Sequence, residues 1–262
     1  MKENQPDKML SGKKYIAIIP ARYASTRFPA KPLALLDGKP IIRHVYEKVS
    51  AVFERTVVAT DDSRIEKAVE GFGGMAVMTS PDHKSGTDRC YEAYRKAGGE
   101  AEIIVNVQGD EPFIQASQLR SVCVCFDSEA TDIATLVKPF SPDTPMCEIE
   151  NPHSPKVVTD DKGYALYFSR SVIPYLRGTD YEDWPRHHTF LKHIGLYAYR
   201  ARTLEVITAL PQGELELCES LEQLRWLQAG LRIKVAQTQT ETIGIDTPAD
   251  LERAEAFLRE KH

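Results

Sequence analysis

The chain has 262 residues, enough for a sizeable core, and its 42% hydrophobic and 27% charged residues exclude global disorder. Its 33 Lys and Arg against 38 Asp and Glu give a formal net charge of −5, which argues against unspecific nucleic-acid binding but leaves room for a local anion site. The five scattered cysteines contain no C-x-x-C pair and suggest neither a disulfide framework nor a zinc site, and no apolar run is long enough to cross a bilayer.

Residues 1–13 read as a polar, flexible tail, and the opening MKENQPDKML lacks the apolar stretch of a signal peptide. Tyr15 to Ile19 (YIAII) is a continuous apolar run, as in a strand buried on both faces, expected to end at Pro20. Pro40 opens IIRHVYEKVSAVF, whose Ile41, Val45, Val49 and Val52 recur at helical spacing. Thr56 to Ala59 predicts the next strand, Ser63 the cap of a helix stopping at Gly73 and Gly74, and Ala76 to Met78 a third strand. Thr87 to Lys96 predicts a helix and Ala101 to Val107 a strong strand. Apolar strands alternating with amphipathic helices point to βαβ units and a mostly parallel sheet.

From Thr131 to Tyr181 the pattern changes. TDIATLV, KVVTD and YALYFSR are separated by Pro- and Asp-rich turns, with Asp161, Lys162 and Gly163 as a hairpin turn, and read as antiparallel strands added to the core. Glu214 to Gly230 predicts one helix, Arg232 to Gln237 a strand, and Thr247 to Lys261 a closing helix with Pro248 at its start. The expected organisation is a tail over 1–13 and a single domain over 14–262, with an inserted antiparallel region around 131–200.

The chemistry-bearing residues lie where strands end. Arg22, Arg27 and Lys31 are interleaved with prolines in a loop after the first strand, a place where open parallel sheets bind ligands and where cations and exposed N–H groups make a polyphosphate cradle. The loop is neither a P-loop nor a G-x-G-x-x-G fingerprint. In IIVNVQGDEP, Asp110 stands at the same sheet edge, where one or two carboxylates plus phosphate oxygens suit Mg²⁺; a G-D-x-P turn explains it equally well. Asp246 in IGIDTPADL is either a second carboxylate for that site or a residue that starts the last helix. Ser85, Gly86 and Thr87 offer donors to an anion, a ribose or a base edge, although capping alone explains Thr87 and Asp88. Arg170, His193, Tyr197, Glu222 and Gln223 are polar residues in apolar surroundings, suited to a polyhydroxylated substrate; a hydrogen-bonded core histidine and an exposed helix charge are the alternatives for His193 and Glu222.

At IIPARYASTRFPAKPL the sequence resembles the 3-deoxy-manno-octulosonate (Kdo) cytidylyltransferases. VVATDD, HKSGTDR, VNVQGDEP, GYALYFSR, HIGLYAYR, LEQLRWL and IDTPADLE follow in the family's order, so the resemblance runs from Tyr15 to the last helix. It implies an α/β, Rossmann-like three-layer nucleotidyltransferase fold, with a mostly parallel central sheet and a small antiparallel dimerisation lobe. It implies the reaction CTP + Kdo → CMP-Kdo + pyrophosphate, a step toward lipopolysaccharide, with Mg²⁺ as cofactor in a cytoplasmic homodimer without membrane insertion. By the same resemblance Arg22, Ser25 and Lys31 hold the CTP phosphates, with Arg27 supporting the loop, and Arg22, Lys31 and Asp110 carry catalysis. Ser85, Gly86, Thr87 and Arg89 recognise the nucleotide, and Asp110 and Asp246 hold magnesium. Gln108, Arg170, His193, Tyr197, Glu222 and Gln223 face the sugar acid. Two positions depart from the pattern. Ala30 stands where the family commonly has Gly in P-G-K-P, placing a Cβ on a backbone that needs positive φ. Lys192 stands before His193 where Arg is common, which removes a bidentate donor if that position touches carboxylate. The competing readings are a cytidylyltransferase for 8-amino-Kdo or neuraminate and a non-catalytic nucleotide-sensing module.

Overall fold

The computed structural model describes residues 14–24, 28–240 and 244–259. The expected tail over 1–13 lies outside them, as do Ser25 and Arg27. In chain order the elements are β1 (Tyr15–Ala21), β2 (Leu35–Leu36), β3 (Lys39–Pro40), α1 (Ile41–Ser50), β4 (Thr56–Thr60), α2 (Ser63–Gly71), β5 (Ala76–Met78), α3 (Gly86–Lys96), β6 (Ile103–Asn106) and α4 (Ala116–Val124). There follow β7 (Ile133–Pro139), α5 (Met146–Ile149), β8 (Lys156–Thr159), β9 (Ala165–Ser169), α6 (Trp184–His187), β10 (Leu191–Arg200), α7 (Ala201–Ala209), α8 (Glu214–Glu219), α9 (Gln223–Gln228), β11 (Ile233–Gln237) and α10 (Pro248–Arg259). The chain divides into two compact units, one of Met1–Arg120, Arg200–Thr208 and Thr242–His262, the other of Ser121–Tyr199 and Ala209–Glu241.

The first unit is a βαβ assembly with four parallel strands in the order β6-β1-β4-β5. Ile16 to Ile19, Val57 to Ala59 and Ile103 to Val105 are essentially inaccessible to solvent, as a strand covered on both faces requires. The expectation that β1 ends at Pro20 is corrected: the strand continues through Pro20, paired with Ala59, to Ala21. The reason lies in the ladder. Ile18 accepts from Val107 N–H on the β6 side (3.0 Å), and β6 pairing stops there, so the missing N–H of Pro20, which faces the same side, loses no bond. Asp62 caps α2 in place of Ser63, its carboxylate accepting from the Arg64 N–H at 2.9 Å.

The second unit has β11 parallel to β7 and β10 antiparallel to β7, with β8 antiparallel to both β10 and β9. The β8–β9 hairpin turns where the sequence predicts: Gly163 adopts φ 72°, and the Asp160 carboxylate accepts from Lys162 and Tyr164 N–H groups at 2.9 and 2.7 Å. The single helix expected over 214–230 is two, α8 and α9, because Ser220 takes a left-handed conformation (φ 50°) between them. The fold is thus α/β, with antiparallel pairs within the second unit and in the short β2–β3 pair.

Candidate active site

At the carboxyl ends of β1 and β6 the first unit has a cavity of about 460 Å³, lined among others by Arg22, Lys31, Gly86, Arg89, Gln108, Asp110 and Asp246. Seven of the sequence-assigned residues therefore meet in one place, at the strand edge where parallel sheets bind ligands.

Lys31 is its centre. The loop after β1 is closed by Ala30 N–H donating to Tyr23 O (3.0 Å), and Ala30 then enters a 3-10 turn, Lys31–Leu33, from the left-handed region (φ 58°, ψ 16°). This turn aims the largely buried Lys31 ammonium at two carboxylates, Asp110 Oδ2 at 2.5 Å and Asp246 Oδ1 at 3.2 Å. Backbone geometry brings those acids together: Ile245 N–H donates to Asp110 O at 2.9 Å. Gly109 makes the approach possible, since a Cβ there would lie 2.8 Å from Pro20 O.

The contacts around the last helix show which residues start it. Starting the last helix falls to Thr247 and Asp250: Asp250 Oδ2 accepts from Asp246 N–H, Thr247 N–H and the Thr247 hydroxyl at 3.0, 2.8 and 2.9 Å. Burial pushes the Asp250 carboxyl up, but these bonds outweigh it and hold it below the usual carboxylate range. Asp246 is left with its carboxylate toward Lys31, as is Asp110.

Other assigned residues make contacts within the protein. Ser85 spends its hydroxyl on the α3 N-terminus, accepting from Asp88 N–H (3.1 Å) while Asp88 accepts from Ser85 N–H (3.3 Å). Thr87 is buried. Arg89, though it reaches the cavity wall, is buried and ties α3 to the ends of β4 and β5 through Thr79 Oγ1 (2.5 Å) and Asp61 Oδ2 (2.9 Å). Asp61 was not singled out by sequence reasoning; its place directly after a buried strand was the available signal.

In the second unit, Arg170 is committed to the backbone: its guanidinium donates to Glu219 O (2.6 Å), Pro152 O (2.6 Å) and Ser220 O (3.2 Å). These bonds brace the α8–α9 break. His193 and Tyr197 lie together on β10, with ring centroids 5.4 Å apart. Burial drives His193 down to about 4, so the imidazole is neutral at pH 7. The Thr135 hydroxyl donates to Leu196 O (2.9 Å) and accepts from His193 Nε2 (3.0 Å), which leaves Nδ1 as an acceptor. Burial pushes the Tyr197 phenol well above its ordinary value, so it remains protonated and able to donate. Tyr197 OH and Gln223 Nε2 are buried and have no hydrogen-bond partner among the described residues. Buried polar atoms of this kind call for a ligand or solvent. Glu222 accepts from Arg225 Nη2 at 2.6 Å. Thr135 was missed because only the β7–β10 register, with Val137 opposite His193, brings it to the imidazole.

Residues 16–233 match the family described as Cytidylyltransferase. The chain belongs to the cytidylyltransferase family. It is 63% identical over 248 residues to a 3-deoxy-manno-octulosonate cytidylyltransferase of Phocaeicola vulgatus, covering 95% of this chain and 98% of that protein. An 8-amino-3,8-dideoxy-manno-octulosonate cytidylyltransferase of Shewanella baltica is 44% identical over 244 residues, covering 92% and 97%. Among solved structures of cytidylyltransferases, that of CMP:2-keto-3-deoxy-manno-octonic acid synthetase complexed with CTP superposes with a TM-score of 0.86 at 43% identity, covering 95% of this chain and all (100%) of that one. The resemblance read from the motifs holds across the chain.

Proposed function

We propose that this chain transfers CMP from CTP to the anomeric hydroxyl of Kdo and releases pyrophosphate. The observation that carries the reading is the convergence of Lys31 on Asp110 and Asp246 at the carboxyl ends of β1 and β6. The anomeric oxygen bonds to the α-phosphorus, the bond to the bridging oxygen breaks, and the hydroxyl proton leaves to solvent. Such transfers depend on positioning and charge neutralisation more than on covalent intermediates. Arg22 and Lys31 neutralise the triphosphate and the developing pyrophosphate charge. In the second unit His193 Nδ1 accepts from a sugar hydroxyl, and Tyr197 OH and Gln223 Nε2 donate to sugar oxygens.

The donor set fits magnesium. Two carboxylates already converge on one positive charge, and a hard cation held by few protein ligands would take its remaining ligands from phosphate oxygens and water. Bound there, Mg²⁺ would supply charge neutralisation at the phosphates and acidify a coordinated hydroxyl. Asp110 and Asp246 would hold it.

The assembly is proposed as a homodimer through the second unit, supported by exposed Leu166, Leu217 and Tyr175 on that unit; sedimentation tests it. No described helix is long and apolar enough to cross a membrane. We propose the cytoplasm as the site of the reaction, because CTP is its substrate. The test of function is pyrophosphate release with Mg²⁺ and CTP, comparing Kdo, 8-amino-Kdo and N-acetylneuraminate, with UTP as base control. Release with CTP and Kdo alone is expected. Release with another acid would reassign the sugar, and silence with all three despite CTP binding would favour a sensing module.

A further inference from the structure

Gly86 opens α3 at the wall of the first unit's cavity, so close to β1 that a Cβ at this position would lie 3.6 Å from Pro20 Cγ. The chain arrives there through residues 79–85, which follow β5 in neither helix nor strand. Such a stretch lacks the regular backbone bonds of a ladder or a helix, and its place is set by side chains. The proposed reaction uses none of Ser80, Asp82, His83 and Lys84, the polar residues at its middle.

Side chains of α3 hold it. Arg89, Glu92 and Lys96 fall three and four residues apart, which puts them on one helix face, and all three reach back over residues 78–83. Arg89 Nη1 donates to Thr79 Oγ1 at 2.5 Å and Lys96 Nζ to Met78 O at 2.9 Å. Glu92 stands between them. Its Oε2 accepts from Ser80 N–H at 2.9 Å and from His83 Nε2, while Oε1 accepts from Lys96 Nζ at 2.7 Å. The Ser80 hydroxyl in turn accepts from Asp82 N–H at 3.1 Å, closing the turn between the two residues that Glu92 holds. Burial pushes the Glu92 carboxyl up, but the bonds from Lys96, Ser80 and His83 outweigh it and bring it down to about 2. Glu92 is therefore an acceptor on both oxygens at neutral pH, and His83 Nε2 carries the proton of their bond.

We propose that Glu92 is a positioning residue for nucleotide binding. It does not line the cavity, but it holds Ser80 and His83, and only Lys84 and Ser85 separate His83 from Gly86. So short a link, about 10 Å of chain at most, passes any shift of His83 on to the backbone that Gly86 presents to the cavity. The capping box of Ser85 and Asp88 fixes the start of α3 within the helix itself, whereas Glu92 fixes the approach to it. This role rests on the proposed reaction, in which the first unit's cavity takes CTP, and adds a residue that acts on the nucleotide only through others.

Steady-state kinetics of pyrophosphate release, with CTP and Kdo varied in turn in the presence of Mg²⁺, test it on wild type, Glu92→Gln, His83→Ala and His83→Gln. Glu92→Gln and His83→Ala are expected to raise KM for CTP about tenfold, with KM for Kdo unchanged and kcat within about threefold of wild type. His83→Gln is expected to stay near wild type, because its amide nitrogen can donate to the same carboxylate. A clamp that served stability alone would lower the active fraction, and so kcat, while leaving both KM values in place. That result overturns the proposal, as does an unchanged KM for CTP in Glu92→Gln. Should Glu92→Gln fail to fold, the contrast between His83→Ala and His83→Gln decides the same question. A wild type that releases no pyrophosphate with any sugar acid would overturn the reaction itself, and the role of Glu92 with it. A wild type that turns over while the variants match it overturns that role alone.

Discussion

Alanine at position 30 is held in the left-handed region, at φ 58°, where a Cβ crowds the following carbonyl and glycine does not. The strain lies in the residue that delivers Lys31 to its carboxylates. Ala30→Gly is expected to stabilise the protein by about 0.5–1 kcal/mol, the relief being partly offset by the freer unfolded chain, and chemical denaturation reads it directly. A loss of stability would mean that the Cβ packs usefully. His193 gives a second prediction at this scale. Its pKa is near 4 in the folded protein against about 6.5 in an unfolded chain. Between those values the unfolded chain binds a proton that the folded one refuses, so stability falls as pH drops through this window. His193→Gln should flatten the slope of stability between pH 6.5 and 4.5 relative to wild type. Parallel slopes would show that the imidazole titrates freely.

Strand ends explain why half of the site was legible before any coordinates. Arg22, Asp110 and Asp246 each follow an apolar run closely, with Lys31 in the loop that leaves the first strand, and in a parallel sheet strand ends lie on one edge. Elements whose outcome depends on register or a single dihedral were not legible in the same way. The Thr135–His193 contact needs the β7–β10 alignment, and the break between α8 and α9 needs the left-handed Ser220 in an otherwise helical pattern. Ser85 was singled out for its donors and Arg89 through the family resemblance; the hydrogen bonds that only the fold reveals link them to a helix cap and to Thr79 and Asp61. The β1–β6 edge carries its own prediction. Because a Cβ at position 109 would meet Pro20 O at 2.8 Å, Gly109→Ala must spread the two strand ends. A cost of about 1–3 kcal/mol in stability and a loss of at least about tenfold in turnover are expected, against no change if the edge is compliant.

At the level of the whole chain, the cations and acids proposed to hold a metal and triphosphate occupy the first unit, while the neutral imidazole, the protonated phenol and the buried amide proposed to meet a polyol occupy the second. The motif order made the family visible from Tyr15 onward, and the match over residues 16–233 bears it out. In the second unit Tyr197 and Gln223 were named from the sequence, but that their polar atoms lack a partner among the described residues appears only once the core is packed, as do the bonds from Arg170 to backbone carbonyls. The account turns on the carboxylate that Lys31 holds most tightly. Pyrophosphate release by Asp110→Asn, measured with CTP, Kdo and Mg²⁺ at an unchanged melting temperature, is predicted to fall by roughly 10²-fold or more. Turnover near that of the wild type would place the chemistry away from this edge and contradict the account.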